Sequence, residues 1–428
     1  MLIKKTKAQQ KWNLREDIPM KMKLLMTSVL STSLFLVACG GGSSDDGPAT
    51  TNPSGTPTNN IQNPVVKVEA YTSTNLGSVA AESSILTYKM LGQSGQEVQA
   101  TSLVFTPNTP PPVGGWPIVV WAHGTTGVAD VCAPSKAALA DSTKDLISKL
   151  LAAGYVVVAP DYEGLGTPGI HPFLNVKSEA FSITDAVVAA RNYLSQRNLL
   201  TSKKWVTVGH SQGGHAALGA AQYASRAQLD YKGTVAVAPA SNLGSILVDG
   251  EAQVANAPID IKIGTYAQLD TYTALVTAGI RNTQPSFDYG QVFTSQISSI
   301  AAQAENLCSG PLYGAFYEGM SNYAKDHNGT LVGFTRTQPK FMAVPLVKTF
   351  LEKDSQPLQV KVTTPIIIYQ GIADPTVPKL ATDLLISNAT AVGTKINNYV
   401  TGNWDHGTAM SSNVDNIVGN VQTLLSAQ

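Results

Sequence analysis

Charge is scarce in this 428-residue chain. Lys, Arg, Asp and Glu make up 14% of it, against roughly 25% in typical soluble domains. The 29 basic and 29 acidic residues cancel, and no basic cluster suits nucleic acid, so no polyanion partner is expected. Cysteine is scarcer still. Three residues are too few for a zinc site, and the six histidines lack the paired spacing of metal ligands. No glycine-rich phosphate loop is present, because Gly40, Gly41 and Gly42 sit in a polar stretch. No cofactor or metal is therefore expected. What remains is a chain with 43% hydrophobic residues, enough for a sizeable core in one large domain or two ordinary ones.

Long apolar runs are missing too. "LLMTSVLSTSLFLVA" (Leu24 to Ala38) follows the positive "MKMK". It is too short and too rich in Ser and Thr to span a bilayer comfortably. It ends in "LVAC", which looks like the lipobox of bacterial lipoproteins, with cleavage before Cys39 and acylation there. Residues 1–38 then read as a lipoprotein-type signal peptide whose true start is Met20. A single acyl chain anchors only marginally, and several together hold firmly. Gly40 at the next position points to the outer membrane. "GGGSSDDGPATTNPSGTPTNNIQN" has no apolar period, so residues 39–63 read as an acylated cysteine with a flexible tether. The folded domain is expected over 64–428.

The body alternates short apolar runs with helical patterns. "ILTYKMLGQSGQEVQATSLVFTP" (85–107) reads as a hairpin. "PIVVWA", "YVVVAP", "KWVTVGH", "GTVAVAP", "PIIIYQG" and "KINNYV" read as strands. Between them lie the helical patterns 135–154, 179–196, 213–225 and 379–389, with another at the C-terminus. Such alternation means an α/β fold, a mostly parallel sheet covered by helices on both faces. From about 240 to 345 the alternation stops. That block is aromatic and punctuated by glycine, and it reads as an inserted, mainly helical cap. Insertions of this length are often functional.

The chemistry centres on "VTVGHSQGGHAALGAA". Its G-x-S-x-G pattern arises readily by chance, but here a strand precedes Ser211 and a helix of small residues follows. That is the setting of a nucleophile elbow. The turn puts Ser211 at a helix N-terminus, where the Gln212 N–H would be one oxyanion donor. A serine needs a base and an acid, which follow it in chain order in such folds as acid, then histidine. Asp374 directly follows the strand "PIIIYQ", and His406 follows the last strand. Asp405 and Asp161 are rival acids. His327 falls in the cap, while His210 and His215 flank the serine but point elsewhere and read as structural. The second oxyanion N–H should come from "HGTTG", from Thr125 or, one residue on, Thr126.

Together these pieces resemble the α/β-hydrolases, and more narrowly the secretory lipase family of fungi and bacteria. The resemblance rests on "HGTTGVADVCAPS", "GYVVVAPDYEGLG", "GHSQGG", "IYQGIADPTVP" and the late "DHG". It implies an α/β-hydrolase fold, a Ser211–Asp374–His406 triad, a helical cap and hydrolysis of carboxylic esters, often lipids. It departs from the freely secreted fungal members in its anchor signal.

The expected activity is that of a lipase or carboxylesterase acting on an ester or lipid substrate, held at the cell envelope by Cys39. The alternatives are a peptidase or amidase of the same fold, or a binding lipoprotein on an inactive scaffold. Export to an oxidising compartment allows Cys132 and Cys308 to pair, and the resemblance supports a bridge from Cys132 into the cap. Mass analysis of the mature protein under non-reducing conditions is expected to find no free thiol. A single alkylatable cysteine in the folded domain would contradict the pairing.

Overall fold

The structure is a computed structural model that describes residue 53 and residues 55–427. The expected signal peptide, Cys39 and most of the tether lie outside the described residues. Nine strands form one sheet: β1 (Val65–Ala70), β2 (Ala80–Leu91), β3 (Glu97–Pro107), β4 (Trp116–Ala122), β5 (Val156–Pro160), β6 (Thr201–His210), β7 (Asp230–Val237), β8 (Ile366–Gly371) and β9 (Asn398–Gly402). Their order is β1-β2-β3-β5-β4-β6-β7-β8-β9. The first three strands run antiparallel, β3 meets β5 antiparallel, and every pairing from β5 to β9 is parallel. This is the α/β-hydrolase arrangement. The central strands are unbroken apolar runs because both of their faces are covered; every residue of β5 and β8 is buried.

On one face pack α2 (Val176–Gln196), α3 (Gln212–Tyr223) and α9 (Lys379–Ala391). On the other lie α1 (Asp141–Ala152), α10 (His406–Ser411) and α11 (Val414–Ser426). Local chemistry sets their ends. The Asn175 side chain accepts from Ser178 N at 3.0 Å to cap α2. Past α1, Gly154 takes φ +84°, the left-handed turn that stops a helix. Helix α1 starts only at Asp141, not at Ser135, because Pro134–Lys136 makes a separate 3-10 turn.

The excursion between β7 and β8 has its own apolar core, built on α4 (Leu243–Gln253), α5 (Ile259–Arg281), α6 (Ser298–Ala301), α7 (Ser309–Asp326) and α8 (Pro345–Thr349). It is mainly helical, as expected, but runs past residue 345. Val347, Phe350 and Leu351 belong to its core.

The expected tether boundary at Asn63 also moves. Arg226, only 2% exposed, makes a two-pronged pair with buried Asp185, at 2.8 Å for each prong. The incoming chain closes over that pair. Arg226 donates to Pro57 O at 2.7 Å, and Asn59 Nδ2 donates to Asp185 Oδ1 at 2.8 Å. Neither contact has a signature in a polar, aperiodic stretch. Arg226→Ala would leave a buried carboxylate without its cation, so the unfolding free energy is expected to fall by about 3–5 kcal/mol. Urea denaturation measures this; a loss within about 1 kcal/mol would mean that the pair contributes little.

Candidate active site

Strand β6 delivers the chain to Ser211 and α3 carries it away. Ser211 sits at φ +58°, ψ −119°, a conformation that non-glycine residues avoid and hold only under tertiary constraint. Three backbone bonds impose it. Ser211 N donates to Val237 O at 2.9 Å, and Ser211 O accepts from His215 N at 3.1 Å and Ala240 N at 3.2 Å. The flanking glycines are steric necessities. A Cβ on Gly209 would lie 2.0 Å from Gly213 O, and one on Gly213 would lie 1.8 Å from Ala122 O.

Asp374 stands on the loop after β8 and is buried. Its Oδ1 accepts from Thr376 N and Val377 N, both at 2.9 Å. Its Oδ2 faces His406 Nδ1 at 2.8 Å. His406 opens α10 after β9. The rival acids are engaged elsewhere: Asp405 caps α10 through Thr408 N at 2.7 Å, and Asp161 is buried against Thr101 Oγ1 and Ser135 N. His327 is exposed in the cap and stacked on Tyr323. His215 turns away from the site toward Glu179.

His210 does not point elsewhere, which corrects the expectation from sequence. Its Nε2–H donates to His406 O at 2.9 Å, and the two rings lie 4.7 Å apart. Burial, then the neighbouring imidazole, pull His210 down to about 4, so it stays neutral and props His406.

The loop after β4 arches over Ser211: a Cβ on Gly124 would be 3.7 Å from Ser211 Cβ. Thr125 borders Ser211 on two cavities, while the Thr126 carbonyl is bonded to Ser309 N at 2.8 Å. A Cys132–Cys308 disulfide ties this loop to the start of α7.

Beneath the serine lies a polar network that the sequence does not announce. Glu179, fully buried on α2, accepts from Gln212 Nε2 at 2.8 Å and from Leu174 N at 3.1 Å, and meets His215 Nδ1 at 2.6 Å. Gln212 Nε2 also reaches His171 Nε2 at 2.8 Å, while His171 Nδ1–H donates to Glu163 O. His171, Tyr162 and His123 form a ring stack, and Tyr162 donates to His123 O at 3.0 Å. A first-turn Glu reads as dipole compensation, so only the packing of α2 against α3 reveals its use.

Two cavities meet at Ser211. The narrower, about 60 Å³, is apolar and runs into the cap past Ile246, Leu247, Val276, Val292 and Phe341. The wider, about 640 Å³, lies beneath Trp121, Val131 and Leu139 and contains His406. Among the described residues no cluster of His, Cys, Asp and Glu could hold a metal, and no helix is long and apolar enough to cross a membrane.

The secretory lipase family model matches residues 133–414. No curated protein sequence matches the chain. Among solved structures, a putative hydrolase of Legionella pneumophila is 16% identical and superposes with a TM-score of 0.63, over 85% of this chain and 100% of that one. The rice cell wall degrading esterase LipA of Xanthomonas oryzae is 19% identical, with a TM-score of 0.59, over 85% and 97%. Lipase A of Candida antarctica in its closed state is 19% identical, with a TM-score of 0.60, over 85% and 82%. Identities this low carry the shared fold alone.

Burial outweighs the Glu179 charge and lowers His171 from 6.5 to about 4. The folded protein keeps His171 neutral, and unfolding lets it take a proton between those values. Its contribution is therefore complete above about pH 6.5 and is lost as pH falls toward 4. Between about pH 7 and pH 4.5 this amounts to about 2–3 kcal/mol. His171→Gln, which keeps a donor and an acceptor but no titrating nitrogen, is expected to lose less stability than wild type over that interval. Equal losses in chemical denaturation would clear His171 of the effect.

Proposed function

The chain belongs to the secretory lipase family and is a carboxylic ester hydrolase; we propose that it works through Ser211, His406 and Asp374 by way of an acyl-enzyme. The observation that carries this reading is the 2.8 Å contact between Asp374 Oδ2 and His406 Nδ1, with His406 and the strained Ser211 on one cavity. Asp374, fixed by two backbone N–H groups, holds the proton on Nδ1 and leaves Nε2 free to act as base. Ser211 attacks the ester carbonyl as Nε2 takes its proton. The oxyanion rests on the N–H groups of Gln212 and Thr125. Nε2–H then protonates the departing alcohol, and water repeats the sequence on the acyl-enzyme.

The acyl chain enters the narrow apolar cavity of the cap, whose lining offers it almost no competing polar group. The alcohol portion lies in the wider cavity beside His406. The Cys132–Cys308 bridge keeps the oxyanion loop and cap in register. The family supports export, and the signal with Cys39 supports a lipid-anchored enzyme of the cell envelope, placed at the outer membrane.

A fluorophosphonate probe is expected to label the wild type and not Ser211→Ala. Ester turnover in that variant should fall at least about 10³-fold. Butyryl, octanoyl and palmitoyl p-nitrophenyl esters then report how much of the cap cavity the acyl chain fills. Equal labelling of the variant, or faster cleavage of aminoacyl anilides than of acyl esters, would reject this reading.

A further inference from the structure

Three residues border both cavities: Ser211, Thr125 and Tyr272. The first two are the proposed nucleophile and an oxyanion donor. Tyr272 comes from the cap, on α5, and nothing in the mechanism above uses it.

Its hydroxyl is positioned rather than loosely placed. Gln268, one turn earlier on α5, donates from Nε2 to Tyr272 Oη at 3.3 Å and to Thr376 Oγ1 at 3.1 Å. Thr376 in turn donates its backbone N–H to Asp374. Tyr272 is thus held from the side of Asp374 and its loop. An oxygen that accepts from Gln268 keeps its own O–H to donate. Burial raises Tyr272 above the ordinary phenol range, and the nearby Asp374 charge adds to it against the Gln268 bond, so the hydroxyl keeps its proton at neutral pH.

We propose that Tyr272 is a further catalytic residue, whose hydroxyl donates a hydrogen bond to the alkoxy oxygen of the bound ester as the alcohol leaves. This rests on the triad reading. When the tetrahedral intermediate collapses, the carbon–oxygen bond breaks and its electron pair stays on the alkoxy oxygen. The proton on His406 Nε2 moves to that oxygen. Tyr272 keeps its own proton and stabilises the charge that develops before the transfer is complete. The two cavities part at this oxygen, with acyl chain on one side and alcohol on the other, which is why a residue touching both can reach it.

The test compares Tyr272→Phe with wild type on two esters of the same acid, one ethyl and one p-nitrophenyl. The quantity read is kcat/KM, which reports acylation for both. An alkoxide is a strong base and needs help to leave, whereas p-nitrophenolate leaves largely unaided. The expected result is a loss of about tenfold on the ethyl ester and less than about threefold on the p-nitrophenyl ester, with the melting temperature unchanged. Equal losses on the two esters, no loss, or a rise in KM alone would overturn the assignment. Ser211→Ala, assayed alongside, separates the failures. Turnover surviving in that variant sinks the triad itself, whereas a Ser211-dependent enzyme without the leaving-group contrast sinks only Tyr272.

Discussion

The site depends on how closely α3 is pressed against the ends of β4 and β6. A Cβ on Gly213 would stand 1.8 Å from Ala122 O, so the helix starts almost in contact with the neighbouring strand. At that separation the chain can turn only by taking Ser211 to φ +58°. The cost of that conformation is of order 1–3 kcal/mol. It is met by bonds to β7 and its following loop, at Val237 and Ala240. Parallel pairing is thus what makes the serine reachable: three adjacent strands end on one edge, and the last carbonyl of β7 with the Ala240 amide clamps the turn.

The same edge collects everything else. Loops after β4, β8 and β9 bring Thr125, Asp374 and His406 to one place, as expected outside the carboxyl ends of parallel strands. Behind them lies the buried polar network around Glu179, in which Gln212 Nε2 is engaged while Gln212 Oε1 has no partner among the described residues. Glu179 joins α2 to Gln212 and His215 on α3. His210 and His171 are held neutral by burial, so these interior histidines serve as hydrogen-bonding props. The cap is attached by a disulfide to the loop after β4 and by Gln268 to the loop after β8.

Much of this was legible in the residues. Apolar runs such as "VVVAP" and "IIIYQ" announce strands buried on both faces, and the strand before Ser211 with the small-residue helix after it announces an elbow. Asp374 and His406 stand out because each follows a strand in the order that such a site requires. Less was legible where contacts are remote. Asn59 looks like part of a tether because its partner, Asp185, lies far along the chain. His210 reads as structural and aimed away from the site because it precedes the serine on β6, yet the loop after β9 brings His406 against its ring.

The sequence by itself determined the class of fold and the ester hydrolysis to expect, because periodicity, small residues and strand-end loops are local properties. Only the tertiary structure decided which groups share a cavity, where the cap ends and what Glu179, His210 and Tyr272 touch. Those depend on the packing of helices and loops distant in the chain, and a side chain's burial and partners are set by what folds over it rather than by its neighbours in sequence.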